Sequence, residues 1–162
     1  MEKGINHYIL GKCGMEPKDS RSYSPLVLAY IGDGIYDLII RTMVVGKGNA
    51  HVNTLHKKTS QLVKAHAQSE MIRVLFAELT EEEQAVYRRG RNAHSPTMAK
   101  NATMADYRRA TGLEALMGYL YLEGRMDRLM ELVLLGIDRM REEMKGEKKG
   151  KKKGSGKDRK GE

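Results

Sequence analysis

The sequence of 162 residues has no tryptophan, one phenylalanine (Phe76) and one cysteine (Cys13). A core built without large aromatic anchors must come from leucine, isoleucine, valine, methionine and tyrosine. A charged fraction of 31% against 40% hydrophobic suits a soluble, mostly helical chain. The lone cysteine cannot form an internal disulfide. It also has no CxxC or Cys/His partners at zinc spacing, so disulfide scaffolds and thiolate zinc sites are both excluded. This usage fits a reducing cytoplasm. The apolar stretch near the N-terminus, Tyr8 to Leu10, is too brief for the core of a secretory signal. The length suits one domain, with no room for a second large catalytic module.

What is present is an uneven charge. The formal net charge is +8, and residues 145–162 carry nine Lys/Arg against three Asp/Glu, so the body is nearly neutral and the tail basic. The tail has no apolar residue to offset its ordering entropy and is expected to be disordered, either as a solubilising segment or as a polyanion-binding arm.

From Ser24 to about Lys145 the pattern is helix after helix, without repeats or strand alternation, and predicts an all-α fold. Ser24-Pro25 starts a helix that can run to about Val45 before Gly46 and Gly48. Its interior is apolar apart from Asp33, Asp37 and Arg41, one polar line at i, i+4 spacing, and three central charges exclude a membrane span. A second helical stretch covers about His51 to Leu79 with a break near Ala65. Thr80 with Glu83 forms a capping box opening a short helix towards Arg89. Gly90 to about Asn101, containing Pro96, reads as an exposed loop. Helix returns from about Met104 to Glu123. A last amphipathic helix runs from about Met126 to Met144, its core face including Leu129, Val133, Leu134 and Ile137.

Two acids interrupt apolar helices: Asp33, between Tyr30-Ile31-Gly32 and Gly34-Ile35-Tyr36, and Glu114 in GLEALMGYLYL. A buried carboxylate must be paired, hydrogen-bonded or metal-bound. Two of them with oxygen-only ligands can share a hard dication such as magnesium, whereas an exposed polar face would need none. The glycines beside them, Gly32, Gly34, Gly112 and Gly118, weaken helices by about 1 kcal/mol each and fit a close approach of backbones. Basic and polar residues cluster further on, at Arg88, Arg89, Arg91, Asn92, His94, Ser95, Thr97, Lys100, Arg108 and Arg109. Such a group suits phosphate contact and nucleic acid, though a solvated loop would look the same. Lys57 and Lys58, beside His56, are further candidates for phosphate contact. There is no phosphate-binding loop, GxSxG or HExxH pattern.

LAYIGDGIYDL at 28–38 resembles the first signature of the ribonuclease III fold and LEALMGYLYLEG at 113–124 its second. With LHKKTSQLVKAHAQ at 55–68, RRGRNA at 88–93 and YRRATG at 107–112, the ordered set resembles Mini-ribonuclease III, the compact family without a double-stranded-RNA-binding domain. The resemblance spans about residues 24–141. It implies an N-terminal extension over 1–23, a helical endonuclease domain over 24–144 and a tail over 145–162.

It further implies a homodimer that needs magnesium and cleaves double-stranded RNA, with large-subunit (23S) ribosomal RNA maturation as the usual role. The family's catalytic aspartate falls on Asp33 and its metal-binding glutamate on Glu114. Three positions that carry acids in the longer ribonuclease III enzymes are Leu26, Ala29 and Thr111 here. Water or phosphate oxygens must therefore complete the coordination. The competing reading is a non-catalytic helical module that binds structured RNA.

Overall fold

The structure, a computed structural model, describes residues 4–94 and 103–154, with side chains as far as Lys152. Its helices are α1 (Ile5–Lys12), α2 (Pro25–Val45), α3 (Val52–Val63), α4 (Ala65–Leu75), α5 (Glu81–Asn92), α6 (Met104–Leu122) and α7 (Met126–Gly154), with 3-10 turns at Ser20–Ser22 and Phe76–Glu78. No strand occurs among the described residues, and no helix among them is long and apolar enough to cross a membrane. The fold is all-α, as expected.

Local chemistry sets the boundaries. The Ser24 hydroxyl accepts from the Val27 N–H with Pro25 at the first helical position, and Thr80 and Glu83 complete a reciprocal capping box on α5. The Thr103 side chain accepts from the Asp106 N–H to start α6. At the other end of α6, Gly124 turns at φ 71° while the Arg125 N–H reaches the Leu120 carbonyl, a Schellman closure that needs a glycine.

α6 is the central post. From Ala110 to Tyr121 every residue is buried except the partly buried Glu114, and α2, α4 and α5 pack around it. α2 and α6 meet backbone to backbone. A Cβ on Gly32 would lie 1.7 Å from the Glu114 carbonyl oxygen, and one on Gly118 would lie 2.0 Å from that of Leu28. Gly34 differs from the expectation, because it faces open space.

The N-terminal extension has structure of its own, and three further differences from expectation have physical causes. α1 gives the N-terminal extension structure: Asn6 is buried and donates 2.9 Å to the Leu122 carbonyl, and Ser20 donates to Glu123. α5 runs through Gly90 to Asn92, where a loop was expected, because a missing Cβ lets Gly90 sit against Ala115 and Gly112. Leu134 is exposed and Leu132 fully buried, so the core face of α7 lies to one side of the expected line. The tail is not disordered from Lys145: α7 continues to Gly154 with exposed side chains as far as Lys152. Extending a formed helix costs far less than nucleating one, lysine and glutamate favour it, and cations suit its C-terminal end. Residues 155–162 of the tail, with Ser95, Thr97 and Lys100, lie outside the described residues.

The close crossing yields the first expected outcome. Gly118→Ala should lower the urea-unfolding free energy by about 3 kcal/mol or more, since its Cβ meets backbone and not a yielding side chain. A loss below about 1 kcal/mol, the scale of helix propensity alone, would show that the helices separate easily.

Candidate active site and nucleic-acid interface

The Gly32–Gly118 crossing fixes where the two interrupting acids stand. Asp33 follows Gly32 on α2, and Glu114 is the residue whose carbonyl the missing Gly32 side chain admits. The acids differ in depth. Asp33 is exposed at the residue level, not buried as its apolar neighbours suggest, whereas Glu114 is mostly covered. Burial and then the Asp33 charge push the Glu114 carboxyl up to about 7, against a small opposing effect from Gln68. Partial burial, then Asp37, raises Asp33 as well. Asp37 is itself paired with Arg41 at 2.6 Å.

Glu114 Oε1 accepts from Gln68 Nε2 at 3.2 Å, and the same nitrogen donates to the Val63 carbonyl at 2.9 Å. Tyr36 donates to the neighbouring Leu62 carbonyl at 2.9 Å. Burial and the Glu114 charge both raise the Tyr36 phenol. Among the described residues neither Asp33 nor Glu114 has a cationic partner.

Glu83 shows what a structural buried glutamate looks like in this fold. It is fully buried, yet Arg128 binds it at 2.8 and 3.0 Å and the Thr80 N–H at 2.9 Å. Burial pushes its carboxyl up, but Arg128 and Thr80 outweigh that and hold it below the usual range. Glu114 has only a neutral amide beside a second acid. That donor set, oxygen-only and short of positive charge, fits a hard dication whose remaining ligands are water or phosphate. No cluster of three or more His, Cys, Asp or Glu suited to a metal occurs among the described residues.

The basic candidates divide into two groups. Arg89, Arg91 and Asn92 occupy the last turn of α5 and Arg88 precedes them, with exposed His94 just beyond, and Arg108 and Arg109 lie exposed on α6, which packs against α5. Arg88 stacks over Phe76 and Arg91 over Tyr87. Both Arg91 and Arg109 act on the Tyr87 phenol, although burial still leaves it raised. Lys57 and Lys58 are exposed on α3, which packs on α2 and α4. Sequence reasoning missed Gln68. It ends the segment LHKKTSQLVKAHAQ at 55–68, but nothing local reveals a hydrogen bond spanning 46 positions.

The ribonuclease III domain family matches residues 26–125, a span holding both acids. A Mini-ribonuclease 3 from Clostridium tetani is 48% identical over 139 residues, which cover 85% of this chain and 91% of that protein. The chain belongs to the Mini-ribonuclease 3 family. A Mini-ribonuclease 3 from Thermoanaerobacter sp. is 44% identical over 142 residues, covering 88% of this chain and all of the relative. The crystal structure of a Fusobacterium nucleatum protein superposes with a TM-score of 0.69 at 30% identity, over 75% of this chain and 99% of that one. As a Mini-ribonuclease 3 relative with a ribonuclease III domain, the chain is a ribonuclease.

The state of Glu114 leads to a stability prediction. Its carboxyl titrates near 4.5 when free and about 7 in the fold. The folded form therefore gains stability from the bound proton below about pH 4.5 and loses it as pH rises through 7. The total is on the order of 3 kcal/mol. Without divalent metal, Glu114→Gln should unfold at a higher temperature than the wild type at pH 8, with the gap closing towards pH 5. A less stable variant at pH 8 would mean that the anion is already satisfied within the protein.

Proposed function

We propose that this ribonuclease is a magnesium-dependent endonuclease that hydrolyses double-stranded RNA as a cytoplasmic homodimer and matures the large-subunit ribosomal RNA precursor. The carrying observation is the acid pair at the α2–α6 crossing, where the largely covered Glu114 stands beside Asp33 without a cation among the described residues. Asp33 and Glu114 would hold the magnesium ion. When bound, magnesium supplies a Lewis acid that polarises the scissile phosphate and lowers the pKa of the attacking water. Glu114 is largely covered and Asp33 is exposed, so in this reading a duplex would approach from the Asp33 side.

The arginines at the end of α5 and on α6, with Lys57 and Lys58, supply charge for phosphates and donors for 2′-hydroxyls, the features by which A-form RNA is read. Ser95, Thr97 and Lys100 belong to the same proposed grip. Dimerisation is supported by exposed apolar side chains along α2. Val27, Tyr30, Leu38 and Val45 share one helical face with Gly34 and the exposed Arg41, and Tyr30 reaches 82%. A two-fold pair of such faces would place one site against each strand.

Purified Asp33→Asn and Glu114→Gln should lose cleavage of a long RNA duplex by at least a hundredfold in magnesium while keeping duplex affinity, because each removes ligand charge and keeps shape. Near-wild-type cutting by either would leave the non-catalytic RNA-binding module as the better reading of the site. Neutralising Arg89, Arg91 and Arg109 together should weaken duplex binding and flatten its salt dependence, with an unchanged slope locating the duplex elsewhere. Tyr30→Asp should halve the mass measured by light scattering, and a wild type already monomeric at micromolar concentration would contradict the dimer.

A further inference from the structure

Gln68 is 2% exposed, and its two polar atoms are treated unequally. Its Nε2 donates to the Val63 carbonyl at 2.9 Å and to Glu114 Oε1 at 3.2 Å, while its Oε1 is buried with no hydrogen-bond partner. The two acceptors fix which way the amide points, since the opposite orientation would set oxygen against two oxygens. A buried carbonyl without a donor is a cost that a leucine or methionine in the same space would avoid. What Gln68 offers in return is its pair of N–H groups, one anchored at the end of α3 and the other on the candidate metal ligand.

Resting on the metal-site reading above, we infer that Gln68 is the positioning residue for Glu114: its amide fixes the carboxylate so that the remaining oxygen is presented towards Asp33 and the cation. The need for it follows from what the site lacks. Among the described residues no third His, Cys, Asp or Glu joins Asp33 and Glu114 in a group suited to a metal, so the geometry depends on how tightly Glu114 itself is held. A neutral donor suits the task. An arginine there would neutralise the carboxylate, as Arg128 does Glu83, and remove its attraction for a dication. Gln68 opens no route to substrate, because both of its partners are protein oxygens.

The probe is manganese ion titrated into RNA-free protein and followed by electron paramagnetic resonance, with wild type, Gln68→Leu, Gln68→Met and Asp33→Asn compared at one pH. Both Gln68 variants should keep the helical circular-dichroism spectrum, with methionine covering the case in which leucine fails to fold. Their manganese dissociation constant should rise by about ten- to a hundredfold, the usual effect of losing a partner that orients a ligand. Their kcat in magnesium should fall, KM for duplex RNA should stay unchanged, and excess metal should recover part of kcat. A purely structural glutamine would lower the melting temperature and leave the dissociation constant within twofold of wild type, which would overturn the inference. If Asp33→Asn also binds manganese as wild type does, the metal-site reading fails and the inference with it. If Asp33→Asn binds weakly while both Gln68 variants bind normally, only the positioning role fails.

Discussion

The contact on which the rest depends is the backbone-to-backbone meeting of α2 and α6 at Gly32 and Gly118. Any side chain at either position would strike a carbonyl oxygen within 2.0 Å, so the helices approach as they do only because both residues are glycine. The approach buries α6 on nearly every side and lets α4 and α5 close around it. It also sets Asp33 and Glu114 at one crossing. Core and candidate site are thus products of a single contact, and loosening it would degrade both.

That economy has an energetic consequence. Glu114 is held where water cannot fully solvate it, opposite another acid, with one neutral donor. Glu83, in the first turn of α5, shows that the fold can neutralise a buried glutamate with arginine when nothing but stability is at stake. The different treatment of the two glutamates distinguishes a structural carboxylate from one left short of charge, and it is the observation behind the proposed dication.

Helical periodicity, caps and terminating glycines made most of the fold legible in the sequence, because those signals are local: Ser24-Pro25, the Thr80–Glu83 box and Gly124 lie within a turn of the boundaries they set. The two acids were legible too, as charges inside apolar runs. What escaped depends on distant partners. Gly90 looked like the start of a loop until Gly112 and Ala115 supplied a surface to pack on, and Gln68 acquires meaning only from Glu114. The face of α7 was misjudged at Leu134, since an apolar stripe wide enough for several rotations does not say which one meets α4. The helical start of the tail was hidden because composition alone does not reveal that a packed helix runs into it.

The proposed function rests on a divalent-ion binding site at the crossing of α2 and α6. Anomalous diffraction from crystals soaked in manganese tests it directly. The account predicts a peak within coordination distance, about 2.1 Å, of a carboxylate oxygen from both Asp33 and Glu114. A peak held by other residues, or none at the crossing under conditions in which the enzyme cuts RNA, would contradict it.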